Sequence, residues 1–265
     1  MYFYIIVYIM KNHFFFSYFG NKRTESERLY NLMNFDDITT FIEPFCGSSA
    51  VSYYVWTKKP DLKFILNDNN KYLKELYEIC QDDKKIEDFN NLYNSKIKEN
   101  ISKEEYNEIV KENNLLGYFV SSRMYSIRVG LYPIRDLKRK SFYNIDLKKH
   151  DIYKFYKNAD ITFFCTDAKD IIKDNKENKN CIIFLDPPYL SLCNDFYTNH
   201  DVNIYEWLYN NDIMKFESGI YCIFEDIWII KLLFNKSFKT IYDKKYQTTK
   251  KITSHCIISN KKFLE

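Results

Sequence analysis

The runs Cys181–Leu185 (CIIFL) and Ile220–Phe224 (IYCIF) are apolar or aromatic at every position. A strand that alternates apolar and polar side chains covers one face of a sheet, whereas one apolar throughout must be covered on both. That requirement directs the chain to a sheet sandwiched between helical layers. Five further β-rich runs fit the same sheet: Ile38–Ile42, Lys63–Leu66, Ile161–Cys165, Phe238–Tyr242 and His255–Ser259. Segments of helical periodicity lie among them, at Ser48–Thr57, Tyr72–Cys80, Ala168–Lys173, Ile204–Phe216 and Ile227–Phe234. This alternation predicts an α/β fold, a doubly wound and mostly parallel sheet.

The alternation breaks between about Lys84 and Asp160, where the pattern is helical and polar, then loop-like and basic. Ser102-Lys-Glu-Glu105 has the form of a capping box that opens one of its helices. We read residues 84–159 as an insertion in a domain formed by 10–83 and 160–265. Residues 1–9 (MYFYIIVYI) are apolar, but a bilayer span needs about 20 residues. They also lack the basic start and small-residue cleavage site of a signal peptide. They are expected to be a dispensable extension ahead of Met10. With 46% hydrophobic and 28% charged residues, the 265-residue chain can bury a sizeable core as one large domain with an insertion.

The net charge of +3 is too mild to name a partner, but its distribution is uneven. Ser121–His150 carries Arg123, Arg128, Arg135, Lys138, Arg139, Lys140, Lys148 and Lys149 against Asp136 and Asp146. A second segment carries Lys236, Lys239, Lys244, Lys245, Lys250 and Lys251 against Asp243. Two basic segments on a near-neutral background point to a polyanionic partner, and solvated loops are the plainer account of either one alone. The seven cysteines are scattered, without a CxxC pair or a nearby histidine at ligand spacing. They read as reduced thiols of an intracellular, soluble protein, with no metal expected.

In an open parallel sheet, ligands bind beyond the carboxyl ends of the strands. Three of the expected strands run into an acid there: Glu43-Pro44-Phe45-Cys46-Gly47-Ser48-Ser49, Asn67-Asp68 and Asp186-Pro187-Pro188-Tyr189. One such acid is commonplace as a helix cap; together they outline a site. Gly47 permits a tight turn and close backbone approach by a ligand. Asp68 follows it by 21 positions, near the spacing at which an acid reaches a nucleotide ribose. The loop is neither GxGxxG nor GxxxxGK[ST], which favours a nucleoside cofactor without a pyrophosphate. After Asp186, two prolines fix φ and remove two amide donors. Carbonyl acceptors then remain beside a carboxylate and an aromatic face. Such a cup suits a planar group bearing an NH2, whose hydrogens meet oxygens while its ring stacks on Tyr189.

In this order, these segments resemble the Dam-type, α-group adenine-specific DNA methyltransferases, especially the versions in large DNA viruses. The likeness covers nearly everything after Met10. Phe16-Ser-Tyr18-Phe-Gly20-Asn-Lys22-Arg23 resembles the N-terminal motif in which an aromatic and a lysine help bind S-adenosylmethionine. Phe41–Val51 resembles the cofactor loop, Leu66-Asn-Asp68 the ribose-binding acid, and Phe163–Asp167 the segment before the catalytic strand. The resemblance implies Tyr18, Lys22, Glu43, Phe45, Gly47, Asp68, Asp167 and Asp186 as cofactor-binding residues. It implies Asp186, Pro187, Pro188 and Tyr189 as catalytic residues. The insertion takes the place of the target-recognition region, and Arg123…Gly130-Leu-Tyr-Pro133 is loosely similar to a DNA-contacting hairpin. Arg123, Arg128, Arg135, Lys138, Arg139 and Lys140 are the expected DNA-binding residues. Two departures stand out. Ser49 replaces the second glycine usual in the cofactor loop, and the hairpin matches poorly, so the family's GATC target does not carry over.

The resemblance implies a site-specific methyltransferase of Rossmann-like fold that modifies the exocyclic N6 amino group of adenine by direct displacement, after base flipping. Asp186 and the Pro187 carbonyl would accept the amino hydrogens and stabilise the charge developing on nitrogen. The expected partner is double-stranded DNA, without membrane or metal, for a monomer working in the host cytoplasm in the case of a viral member. Action on cytosine or RNA, and a catalytically inactive nucleic-acid-binding relative, are the alternatives. Removing the charges of Lys138, Arg139 and Lys140 should weaken DNA binding and flatten its salt dependence. Titrations across salt concentrations measure both, and an unchanged slope would mean that these side chains do not touch phosphates.

Overall fold

The computed structural model describes residues 14–16, 18, 20–124, 143–189, 204–245 and 252–264. The expected extension at 1–9 and the candidate DNA-contacting residues Arg128, Arg135, Lys138, Arg139 and Lys140 lie outside the described residues. In chain order the elements begin with α1 (Ser26–Leu32), β1 (Thr40–Glu43), α2 (Ala50–Lys58) and β2 (Lys63–Asn67). Five helices follow: α3 (Lys71–Gln81), α4 (Asp83–Lys96), α5 (Lys103–Lys111), α6 (Leu115–Met124) and α7 (Asp151–Asn158). Then come β3 (Asp160–Phe164), α8 (Ala168–Asp174), β4 (Cys181–Leu185) and α9 (Ile204–Asn210). The chain closes with β5 (Gly219–Glu225), α10 (Trp228–Leu233), β6 (Phe238–Lys245) and β7 (Ile252–Ser259).

The chain divides into two compact units. One holds Lys22–Asn69 and the described residues from Asp160 onward; the other holds the described residues of Asn70–Ala159 and those before Lys22. In the first unit seven strands form one sheet, in the order β3-β2-β1-β4-β5-β7-β6. Strands β1 to β5 pair in parallel, and β7 runs antiparallel between β5 and β6. This mixed α/β sheet is Rossmann-like. Strand order reverses between β1 and β4, which is where such sheets open a crevice beyond their carboxyl edge. All of β4 and nearly all of β5 are buried, as runs without a polar face require. Ile183, Leu185, Cys222 and Phe224 share a core with Leu208, Ile213 and Ile230 from the segments around them. The helix expected over Ile204–Phe216 stops at Asn210, because Asp212 takes φ 48° and a 3-10 turn, Ile213–Lys215, follows.

The second unit is helical. Helix α3 buries Tyr72, Leu73, Leu76, Tyr77 and Cys80 along one face and packs against α4, α6 and α7. The helical unit includes Asn70 onward; an amphipathic pattern shows that a face is buried but not against what. Asp82 ends α3 and opens α4, its carboxylate accepting from the amides of Lys84 and Lys85. The capping box at α5 is complete: Ser102 Oγ accepts from Glu105 N at 3.1 Å, and Glu105 Oε2 accepts from Ser102 N at 2.7 Å. No helix among the described residues is long and apolar enough to cross a membrane.

Helices α5 and α6 meet at backbone distance through Gly117. A Cβ there would lie 2.7 Å from the Ile109 carbonyl oxygen and 3.2 Å from Val110 Cα. Alanine is the better helix former by about 1 kcal/mol, but overpacking costs about 1–3 kcal/mol, and backbone cannot rotate aside. Gly117→Ala should therefore lower stability in urea unfolding. A gain would show that the two helices separate at little cost.

Candidate functional site

The register of the parallel ladders sets Glu43 opposite Leu66 and Ile42 opposite Ile183. Glu43, Asp68 and Asp186 thus leave three neighbouring strands on one edge, yet their environments differ. The Glu43 carboxyl is buried and its Oε2 accepts from Ser52 N at 3.2 Å and from Ser52 Oγ. Ser52 lies in the first turn of α2, where amides lack partners within the helix, so Glu43 satisfies the helix start from below. Burial pushes this carboxyl up to about 8, and the Asp186 charge adds to the rise while the Ser52 hydrogen bonds oppose it. Asp68 Oδ2 accepts from Gly47 N at 2.9 Å, tying the loop after β1 to the end of β2. Gly47 has φ 47°, a left-handed conformation natural to glycine.

Asp186 receives a lysine. Lys22 Nζ lies 2.5 Å from Asp186 Oδ2, with side-chain exposures of 4% and 17%. The same ammonium stands 5.2 Å from the centroid of the Tyr189 ring. A buried ammonium requires a carboxylate or its desolvation goes uncompensated, so this pair fixes both side chains. Beyond it, the Pro188 carbonyl accepts from Tyr205 OH at 3.0 Å. Lys22, Asp186 and Tyr189 therefore form one contact group, and Gly47 and Asp68 form another. Phe45 packs against the core. Asp167 is exposed and caps α8, accepting from Lys169 N at 2.9 Å. Tyr18 belongs to the helical unit, where its carbonyl accepts from the Asn21 side chain at 2.5 Å.

Asn67 joins the loops and was not among the expected site residues. Its Nδ2 reaches the carbonyls of Pro44 at 3.0 Å and Thr166 at 3.2 Å, while its Oδ1 accepts from Thr166 N at 3.0 Å. Its own carbonyl accepts from Cys46 N at 2.9 Å. One buried amide thus holds the segments after β1, β2 and β3. The only trace in the sequence is a polar residue closing an apolar strand. Ser49, at the position of the missing glycine, takes φ 55°, a left-handed conformation that costs a residue with a Cβ roughly 1–2 kcal/mol. The loop keeps the glycine-like turn without the glycine.

Arg123 engages its own unit: its Nη1 donates to the Phe15 carbonyl at 2.7 Å and its guanidinium faces the Phe119 ring. From the second basic segment, Lys244 turns inward onto Glu25. Among the described residues no group of three or more His, Cys, Asp or Glu side chains could hold a metal ion.

Residues 18–129 match the family model of the D12 class N6 adenine-specific DNA methyltransferases. This stretch includes Lys22, Gly47, Asn67 and Asp68 and ends ahead of β3 and β4. Over that stretch the chain is similar to DNA methyltransferases that act on adenine. No curated protein matches the chain.

Glu43 imposes a pH dependence. Its folded value of about 8 lies above the ordinary 4.5, so the folded protein binds this proton more tightly than the unfolded chain does. The resulting stability is fully present below the unfolded value and is lost as pH rises through the folded one. Glu43→Gln keeps an acceptor for Ser52 and should flatten the fall in stability between about pH 5 and 8 in urea unfolding. A fall as steep as that of the wild type would place the titrating group elsewhere.

Proposed function

We propose that the chain methylates the N6 amino group of adenine in DNA, with S-adenosylmethionine as donor, by direct displacement on a base turned out of the duplex. The observation that carries this reading is Asp186-Pro187-Pro188-Tyr189 at the exit of the buried strand β4, with Lys22 seated on Asp186. The crevice side of the sheet suits the cofactor. Gly47 turns at φ 47° and so brings main chain rather than a side chain toward a ligand, and the half-buried Asp68 follows at the next strand end, where it would hold ribose hydroxyls. When bound, S-adenosylmethionine supplies an electrophilic methyl group.

The chain's own residues do the rest. The exocyclic nitrogen of adenine is a poor nucleophile, since its lone pair is delocalised into the ring. Hydrogen bonds from the amino group to the Asp186 carboxylate and the Pro187 carbonyl favour a pyramidal nitrogen and stabilise its developing positive charge. A carboxylate offers about four lone-pair sites, so Lys22 on Oδ2 is compatible with an amino group on the same carboxylate. Lys22 also stops the carboxylate from rotating. Tyr189, buried beside it, offers the face on which a flipped base stacks, and alignment of nitrogen with the methyl group follows from these restraints.

Sequencing that reports modified bases in DNA exposed to the protein and S-adenosylmethionine should find N6-methyladenine in a fixed context. Methyl groups on cytosine, or on RNA alone, would replace this substrate. Asp186→Ala should reduce transfer by at least about 100-fold while leaving the unfolding midpoint near that of the wild type. Activity retained by that variant would sink the mechanism.

A further inference from the structure

A second cluster of buried polar groups lies in the sheet unit. Glu25 stands at the start of α1 and is 5% exposed. Tyr242 OH donates to its Oε1 at 2.5 Å, His255 Nδ1 lies 3.3 Å from that same oxygen, and Lys244 pairs with Oε2. Tyr242 and Lys244 belong to β6 and His255 to β7. Burial alone would raise the Glu25 carboxyl. The His255 hydrogen bond and the charges of Lys22 and Lys244 outweigh it and hold the group down at about 2. Glu25 is therefore a carboxylate, and His255 Nδ1 is its donor. His255 Nε2 is buried and has no hydrogen-bond partner among the described residues.

Two routes lead from this cluster to the proposed site. Along the first, Glu25 N donates to the Lys22 carbonyl at 3.0 Å and Ser26 Oγ to the same oxygen at 2.7 Å. Anchoring the Glu25 side chain to β6 and β7 thus anchors the turn that presents Lys22 to Asp186. Along the second, the His255 ring meets the Tyr189 ring with centroids 5.3 Å apart and planes at 75°, so the imidazole limits how Tyr189 can tilt. Both routes converge, because the Lys22 ammonium also lies over the Tyr189 ring.

We propose that Glu25 and His255 are positioning residues for the amino-group chemistry: Glu25 sets where the Lys22 ammonium meets Asp186, and His255 sets the plane of the Tyr189 ring. The proposal rests on the function argued above. Neither residue needs to touch substrate. The effect is on alignment, for which a misplacement of about 1 Å can cost on the order of 100-fold in rate.

The test compares His255→Leu, which loses the ring, with His255→Phe, which keeps a ring against Tyr189, and adds Glu25→Gln. His255→Leu should lower kcat at least about tenfold with KM for S-adenosylmethionine within about threefold, and His255→Phe should restore most of kcat. A support with no bearing on alignment would shift the unfolding midpoint alone. Full kcat in His255→Leu, or no advantage of His255→Phe over it, would overturn the His255 half. Acylation of lysines, mapped by mass spectrometry, reads the Glu25 half without any activity. Lys22 should be protected in the wild type and label at least about tenfold faster in Glu25→Gln through local opening, and unchanged protection would overturn that half. A wild-type protein that transfers no methyl group would refute the function and leave the Lys22 measurement standing.

Discussion

The carboxyl edge of the sheet depends on three loops keeping their places, and the side-chain amide of Asn67 does most of the holding. An amide carries two donors and an acceptor of two lone pairs, and here both ends are engaged by main chain from Pro44 and Thr166. Neither a carboxylate nor an aliphatic side chain could serve both ends. The Gly47–Asp68 bond and the Glu43 cap on α2 then fix the loop after β1 at its middle and its end. The main chain is thereby set in advance, which on the proposed function leaves little ordering entropy to lose on binding.

Around this frame the buried charges are balanced. Lys22 faces Asp186 and Lys244 faces Glu25, while Glu43 holds its proton up to about pH 8. Ion pairs of this kind contribute little net stability, since desolvation offsets much of the attraction, but removing one partner leaves an unpaired charge and is costly. Their effect is on geometry. An ammonium that must lie on Asp186 also determines where the carboxylate points and what stands above Tyr189.

The sheet was legible because its strands are punctuated apolar runs, and the seven expected strands are the seven observed among the described residues, to within a few residues at their ends. The residues at the strand exits were legible for the same reason: Glu43, Asp68 and Asp186 follow apolar runs within two residues. Glu25 and His255 were not, because Glu25 meets its partners more than 200 positions along the chain, and a strand pattern such as His255–Ser259 places a side chain in the sheet without naming what it faces. In TESER, Glu25 reads as one more solvated acid. Arg123 shows what a charge pattern leaves out: the sequence places a cation in a basic segment, and the fold adds a bond from its guanidinium to the Phe15 carbonyl. Charge counted along a sequence carries no information about which side chains turn inward.

The strand order also has a consequence for how the protein is made. Strands β6 and β7 pair across a short stretch of chain, whereas the central ladder joins Thr40 to Cys181, with the helices from α3 to α7 between them in sequence. Contacts so distant form slowly, because chain entropy is lost before any pairing rewards it. During synthesis β1 emerges long before β4, so Phe41 and Ile42, fully buried in the finished sheet, wait without their final neighbour while the helical unit is translated. An unpaired apolar edge of that duration is where nascent chains associate with one another. The arrangement that brings the three strand exits together therefore makes slow assembly, and a need for protection during translation, part of the fold.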